Sequence, residues 1–108
     1  LDGTELLRRF CIGESAPADD SGELWSTCLD HRTRAFIRIG ALIAMSAPEV
    51  SLRAAVDDAV SAGIAADEII AVMDGLVTLV GMPRTVEAAP RIAAGLGYAE
   101  DLLDGEAG

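Results

Sequence analysis

The chain contains no lysine, and its eight basic residues are all arginine. That preference reads as the codon usage of a GC-rich bacterial genome rather than as a mechanism. Acidic residues number eighteen, which leaves a net charge of −10 and an isoelectric point near 4.2. Binding to a phosphate backbone needs a net basic face, so nucleic acid is excluded as a partner. Cysteine is scarce as well. Cys11 and Cys28 are the only two, they form no C-x-x-C pair, and the single His31 gives them no zinc-like spacing. No metal and no other cofactor is called for. With no signal peptide legible, two isolated thiols are expected to stay reduced, in a cytoplasmic setting. Long hydrophobic runs are also missing. The longest uncharged stretch, Ile39 to Pro48, is too short to span a bilayer, which excludes a membrane partner.

What is present is alanine, at nineteen positions, within a composition that is 51% hydrophobic. Small side chains let helices approach closely, and no period-2 runs appear, so the expected fold is all-α. At 108 residues the chain is expected to form a single domain spanning 1–108, because two cores would each be too small. A mean hydropathy of +0.35 beside so much negative charge predicts a homo-oligomer that hides apolar surface while its charge keeps it dissolved.

Three segments are expected: an arm over 1–28, a core over 29–98 and a frayed tail over 99–108. In the arm, "LDGTELLRRFCIG" suits a short helix with Leu6, Leu7 and Phe10 on one side. "ESAPADDSGE" then reads as a loop. Trp25 is expected to anchor the arm across a neighbouring surface. Asp30 is a good N-cap for a helix over about 32–46, whose apolar second half marks it as the central buried helix. Pro48 restarts the chain. The next helix, 49–62, carries Leu52, Val56, Ala59 and Val60 on one stripe and Asp57 and Asp58 outward, and Gly63 stops it. Acids open the following helix, which buries Ile69, Val72, Met73, Leu76 and Val80. Pro83 starts a last helix that Pro90 kinks or divides and that Gly95 and Gly97 close.

The order "LDHRTRAFIRIGALIA" then "LRAAVDDAVSAGIAADEIIAVMDGLVTLVGMPRTVEAA" resembles the carboxymuconolactone decarboxylase family, which includes the alkylhydroperoxidase D-like proteins. The matching features are the LD-x-R-T-R entry, the A-x-x-A-G-I-x-x-D-E-I link and the G-M-P-R turn, between Leu29 and Tyr98. The resemblance implies a helical bundle of five to six helices assembling into trimers or hexamers. It also implies either proton-transfer chemistry on a lactone carboxylate or thiol peroxidase chemistry at a C-x-x-C pair with a glutamate and a histidine. Carried over residue by residue, the glutamate falls at Ala35, the thiols near Ala47 and Val50, and the histidine at Ala54 or Ala55. None of these side chains moves a proton or attacks a peroxide.

Four other residues are the candidates for chemistry. His31, the chain's single imidazole, is a catalytic acid–base candidate, with an exposed first-turn residue as the plain alternative. Asp74, an acid midway along an apolar helix, is the second catalytic candidate; it could hold Arg38 or Arg34, or belong to a wet stripe with Asp67 and Thr78. Arg38 is followed by seven apolar residues, so its guanidinium needs water, an acid or an anionic ligand, and it is a substrate-binding candidate for a small carboxylate or lactone. Arg53, next to the expected histidine position, is the second substrate-binding candidate, and an exposed helix-face arginine is its plain reading. Arg84 suits a turn cap or an ion pair between subunits. The readings are a non-redox lyase acting on a small carboxylate or lactone, a non-catalytic oligomeric ligand-binding or scaffold protein, and, least supported, a thiol peroxidase.

Overall fold

The computed structural model describes residues 2–98; the expected tail over 99–108 lies outside them. All regular structure among the described residues is helical. The chain forms two compact units that meet between Arg34 and Ala35.

The first unit holds α1 (Gly3–Cys11), a 3-10 turn (Ala18–Asp20) and α2 (Glu23–Cys28). The Asp2 carboxylate accepts the Glu5 backbone N–H at 2.8 Å and starts α1. Glu5 then meets Arg8 at 3.0 Å and Arg9 at 3.7 Å on the same face. The loop expected over 14–23 contains the 3-10 turn, and Trp25 lies inside α2. Gly22, with φ of 75°, supplies the left-handed residue that opens α2. Arg34 closes that helix by donating to the carbonyls of Trp25 (3.4 Å), Ser26 (3.2 Å) and Leu29. Arg34 is thus committed to backbone and not to Asp74. No side chain from Asp2 to Arg34 is fully buried.

Helix α3 (His31–Ala44) opens in the first unit and continues into the second. Asp30 is its N-cap, as its sequence position predicts, and accepts the Thr33 N–H at 2.7 Å. The Thr33 side chain and then its backbone N–H hold the Asp30 carboxyl below its ordinary value, with Arg32 and Arg34 adding charge and slight desolvation opposing.

The second unit adds α4 (Glu49–Ser61), α5 (Ala66–Val80) and α6 (Met82–Leu96). Its core consists of one stripe from each helix: Ala35, Ile39 and Ile43 of α3; Leu52, Ala55, Val56 and Ala59 of α4; Ile69 of α5; Ala88 and Ile92 of α6; and Ile64 from the α4–α5 link. Helix α6 packs on both α4 and α5, most extensively on α4. Helix α3 differs from the expected all-round buried helix. Its Ile37, Arg38 and Ala41 face outward, because its apolar second half is wider than the single stripe the core can cover. For the same reason Val60 of α4 stays exposed, and Ala55 takes the expected buried place. The expected face of α5 is present, with Val72, Met73, Leu76 and Val80 packed against the core.

Two further differences concern α6. Pro90 does not divide it; the helix runs unbroken to Leu96, with Ala88, Ile92 and Ala93 buried on either side of the ring. Pro removes one donor, and burial of the flanking turns outweighs that loss. Gly95 lies inside the helix rather than at its stop. Gly97, at φ of 85°, is the terminator, and the Tyr98 N–H reaches back to the Ala93 carbonyl at 2.9 Å.

Candidate functional site

The positions where the resemblance places thiols and a histidine lie on and around the first turns of α4. Pro48 sets that start, and its carbonyl accepts the N–H groups of Ser51 and Leu52. Because Leu52, Ala55, Val56 and Ala59 turn into the core, the helical repeat sends Glu49, Val50, Arg53, Ala54 and Asp57 to the other side. These five residues and Gly95 of α6 line an open cleft of about 460 Å³.

Gly95 has a mechanical role there. A Cβ at this position would stand 3.0 Å from Val56 Cγ1, 3.1 Å from Val56 Cβ and 3.7 Å from Arg53 Cα. The absence of a side chain lets α6 close onto α4 and forms the wall beside Arg53. From the other end of the α4–α6 contact, Arg91 donates to the Ala47 carbonyl at 2.8 Å and pins the α3–α4 turn, where Ser46 takes a φ of 54°.

The cleft separates the transferred positions. Val50 and Ala54 line it, whereas Ala47 and Ala55 are buried. Of the two alternatives for the missing histidine, Ala54 is therefore the one with access to a ligand. Arg53 is exposed, with Glu49 one turn before it and Asp57 one turn after. Among the described residues it closes an ion pair with neither.

The other candidates lie elsewhere. His31 is the exposed first residue of α3, in the first unit. Arg38 is exposed on α3 and closes no ion pair among the described residues. Asp74 is exposed on α5, on the same wet stripe as Asp67 and Thr78. Neither Arg38 nor Asp74 lines the α4–α6 cleft. Asp57, Asp58 and Arg84 are all exposed. Cys11 and Cys28 are free and exposed. Among the described residues no group of three or more His, Cys, Asp or Glu is placed to share a metal ion. No helix among them is long and apolar enough to cross a membrane.

Sequence reasoning did not single out Gly95 as a packing residue or Arg91 as a clamp. A glycine two positions before a second glycine looks like a stop signal, and only the approach of α4 shows its other use. Arg91 depends on a carbonyl far away along the chain, for which the sequence carries no local sign.

Comparison with known proteins agrees with this helical order. The model of the carboxymuconolactone decarboxylase family matches residues 20–94, which spans α2 and most of α6. No curated protein and no solved structure gives a match. The match covers well over half of the chain, and the chain belongs to the carboxymuconolactone decarboxylase family.

Proposed function

We propose that this protein is a non-catalytic member of its family, a self-associating helical domain that keeps the family's cleft for binding or scaffolding. The observation that carries this reading is the lining of the α4–α6 cleft, which includes Val50, near which the resemblance places a thiol, and Ala54, one of the two places it allows for the histidine. Proton transfer needs a titratable group within hydrogen-bond reach of the reacting atom, and thiol chemistry needs a thiolate with a resolving partner. The cleft offers the carboxylates of Glu49 and Asp57 around one guanidinium, without a thiol or an imidazole.

Self-association is supported by apolar side chains outside the core. Leu79 at the end of α5 is 77% exposed, and Met82 and Val86, one turn apart on α6, are 59% and 60% exposed. Three such residues around the Gly81 corner make a continuous segment suited to a second copy of the chain. A cytoplasmic setting, where free thiols stay reduced, goes with this reading.

One observation favours a second reading, in which the protein is a non-redox lyase for a small carboxylate or lactone. Arg53 lines the cleft unpaired and could hold an anion there. The two carboxylates beside it oppose that binding. Carbon dioxide release from a γ-carboxy lactone separates the readings. The non-catalytic reading predicts release at the buffer rate; release above it that Arg53→Ala abolishes would establish the lyase instead.

A further inference from the structure

The first unit has a cleft of its own, independent of the one just described. It encloses about 590 Å³ between α1, the 3-10 turn and α2. Its walls include Leu6, Phe10, Trp25 and Leu29, and Asp20 and Glu23 also line it. The size falls within the range of small-molecule sites, roughly 300–1,000 Å³. The α1 side of this cleft lies before residue 20, outside the family match, so it belongs to this chain rather than to the shared core.

Charge selects the class of occupant. No arginine lines the cleft. Arg8 and Arg9 are engaged by Glu5, and Arg9 also donates to the Ser15 carbonyl at 3.4 Å. Arg34 is spent on the carbonyls of α2. Asp20 and Glu23 close no ion pair among the described residues. Asp20 is half-buried, where a negative charge gains most from a counter-ion. Phe10 and Trp25 are two of the four aromatic residues in the chain, and both line this cleft. Aromatic faces attract a cation through their quadrupole, most strongly when it is desolvated and the ring is indole. Apolar walls, two aromatic rings and two unpaired carboxylates together describe a receptor for a small amphiphilic cation.

The geometry points to a binding site for an organic ammonium compound with an apolar body, held between Phe10 and Trp25 and neutralised by Asp20 and Glu23. The body replaces water along Leu6 and Leu29. An organic anion of the same shape meets two like charges and is rejected.

Trp25 is the only tryptophan, so its emission reports occupancy directly. The probes are phenethyltrimethylammonium and 3-phenylpropionate, titrated into the full chain at fixed ionic strength. A saturable change with the ammonium, with binding about tenfold or more tighter than that of the carboxylate, is expected. Asp20→Asn with Glu23→Gln should weaken ammonium binding about tenfold and erase the preference, with helix content unchanged by circular dichroism. Should that pair unfold the unit, Glu23→Gln alone, at an exposed position, should still weaken binding severalfold. Arg53→Ala should leave it unchanged, which separates this site from the α4–α6 cleft. Equal response to both probes, a non-saturable response, or unaltered binding in the acid variants overturns the proposal. So does Trp25 emission that shifts with protein concentration and ignores the ammonium, since a second copy would then fill the cleft.

Discussion

The two units solve the problem of burial in opposite ways. From Ala35 onward, each helix gives one stripe to a common core in which Ile39, Val56, Ala59 and Ile69 have no exposed surface. Among the described residues before Ala35, nothing is fully buried, and Leu7, Phe10, Ile12 and Trp25 remain open to solvent. The first unit is held instead by local polar contacts: the Asp2 cap, the Glu5–Arg8 pair and the Arg34 clamp on α2. A segment of this length cannot assemble a core of its own. The contrast shows that one chain can divide its labour. Buried packing lies in the helices after Ala35, while apolar side chains before it stay exposed.

Core truncation sharpens this contrast most. Leu52 is 1% exposed, and Leu52→Ala should lose about 2–5 kcal/mol in urea unfolding. Leu7, of the same residue type but 63% exposed, should change stability by no more than about 0.5 kcal/mol when truncated. Similar losses at both positions would break the comparison. Next in size is Gly95→Ala. The new Cβ would press on Val56, which is fully buried, and this overpacking of about 1–3 kcal/mol is expected to exceed the helix-propensity gain of about 1 kcal/mol. A net loss of about 1 kcal/mol in the same assay is expected. Arg91→Met should follow, with about 1 kcal/mol lost as the Ala47 carbonyl gives up its charged donor.

The smallest effect is the pH response of Asp30. Its folded pKa is depressed below the ordinary 3.8. Its contribution to the start of α3 is therefore complete above the unfolded value, and is lost as pH falls through the folded one. An NMR titration of the Thr33 amide should show its bond to Asp30 persisting below pH 3.8 and then releasing. Release above that value would contradict the sign of the shift.

Much of the helical order from Asp30 onward was legible because helix punctuation is local. Asp30, Pro48, Gly63 and Pro83 stand where caps, starts and stops should, and the α5 face follows the helical repeat. Burial was less legible in α3 and α4. A helix apolar all round has more surface than one core stripe uses, and the sequence does not say which residues stay outside. Ile37 and Val60 were left there. The cleft at Val50 and Ala54 was legible as a set of substitutions, but its shape depends on Gly95 approaching Val56 across two helices. The cleft at Phe10 and Trp25 was not legible, because it needs α1 and α2 to face one another across a loop of irregular backbone.

We propose that self-association uses the helices after Ala35, and that the first unit keeps its apolar surface for a ligand. Sedimentation equilibrium at micromolar concentration tests it directly on three chains: the unaltered protein, Leu79→Glu with Val86→Glu, and Leu7→Glu. The account predicts an assembly for the unaltered chain and for Leu7→Glu, and an 11.2 kDa monomer for the double variant. An unaltered chain that sediments as the monomer, or an assembly that Leu7→Glu dissolves and the double variant leaves intact, would contradict it.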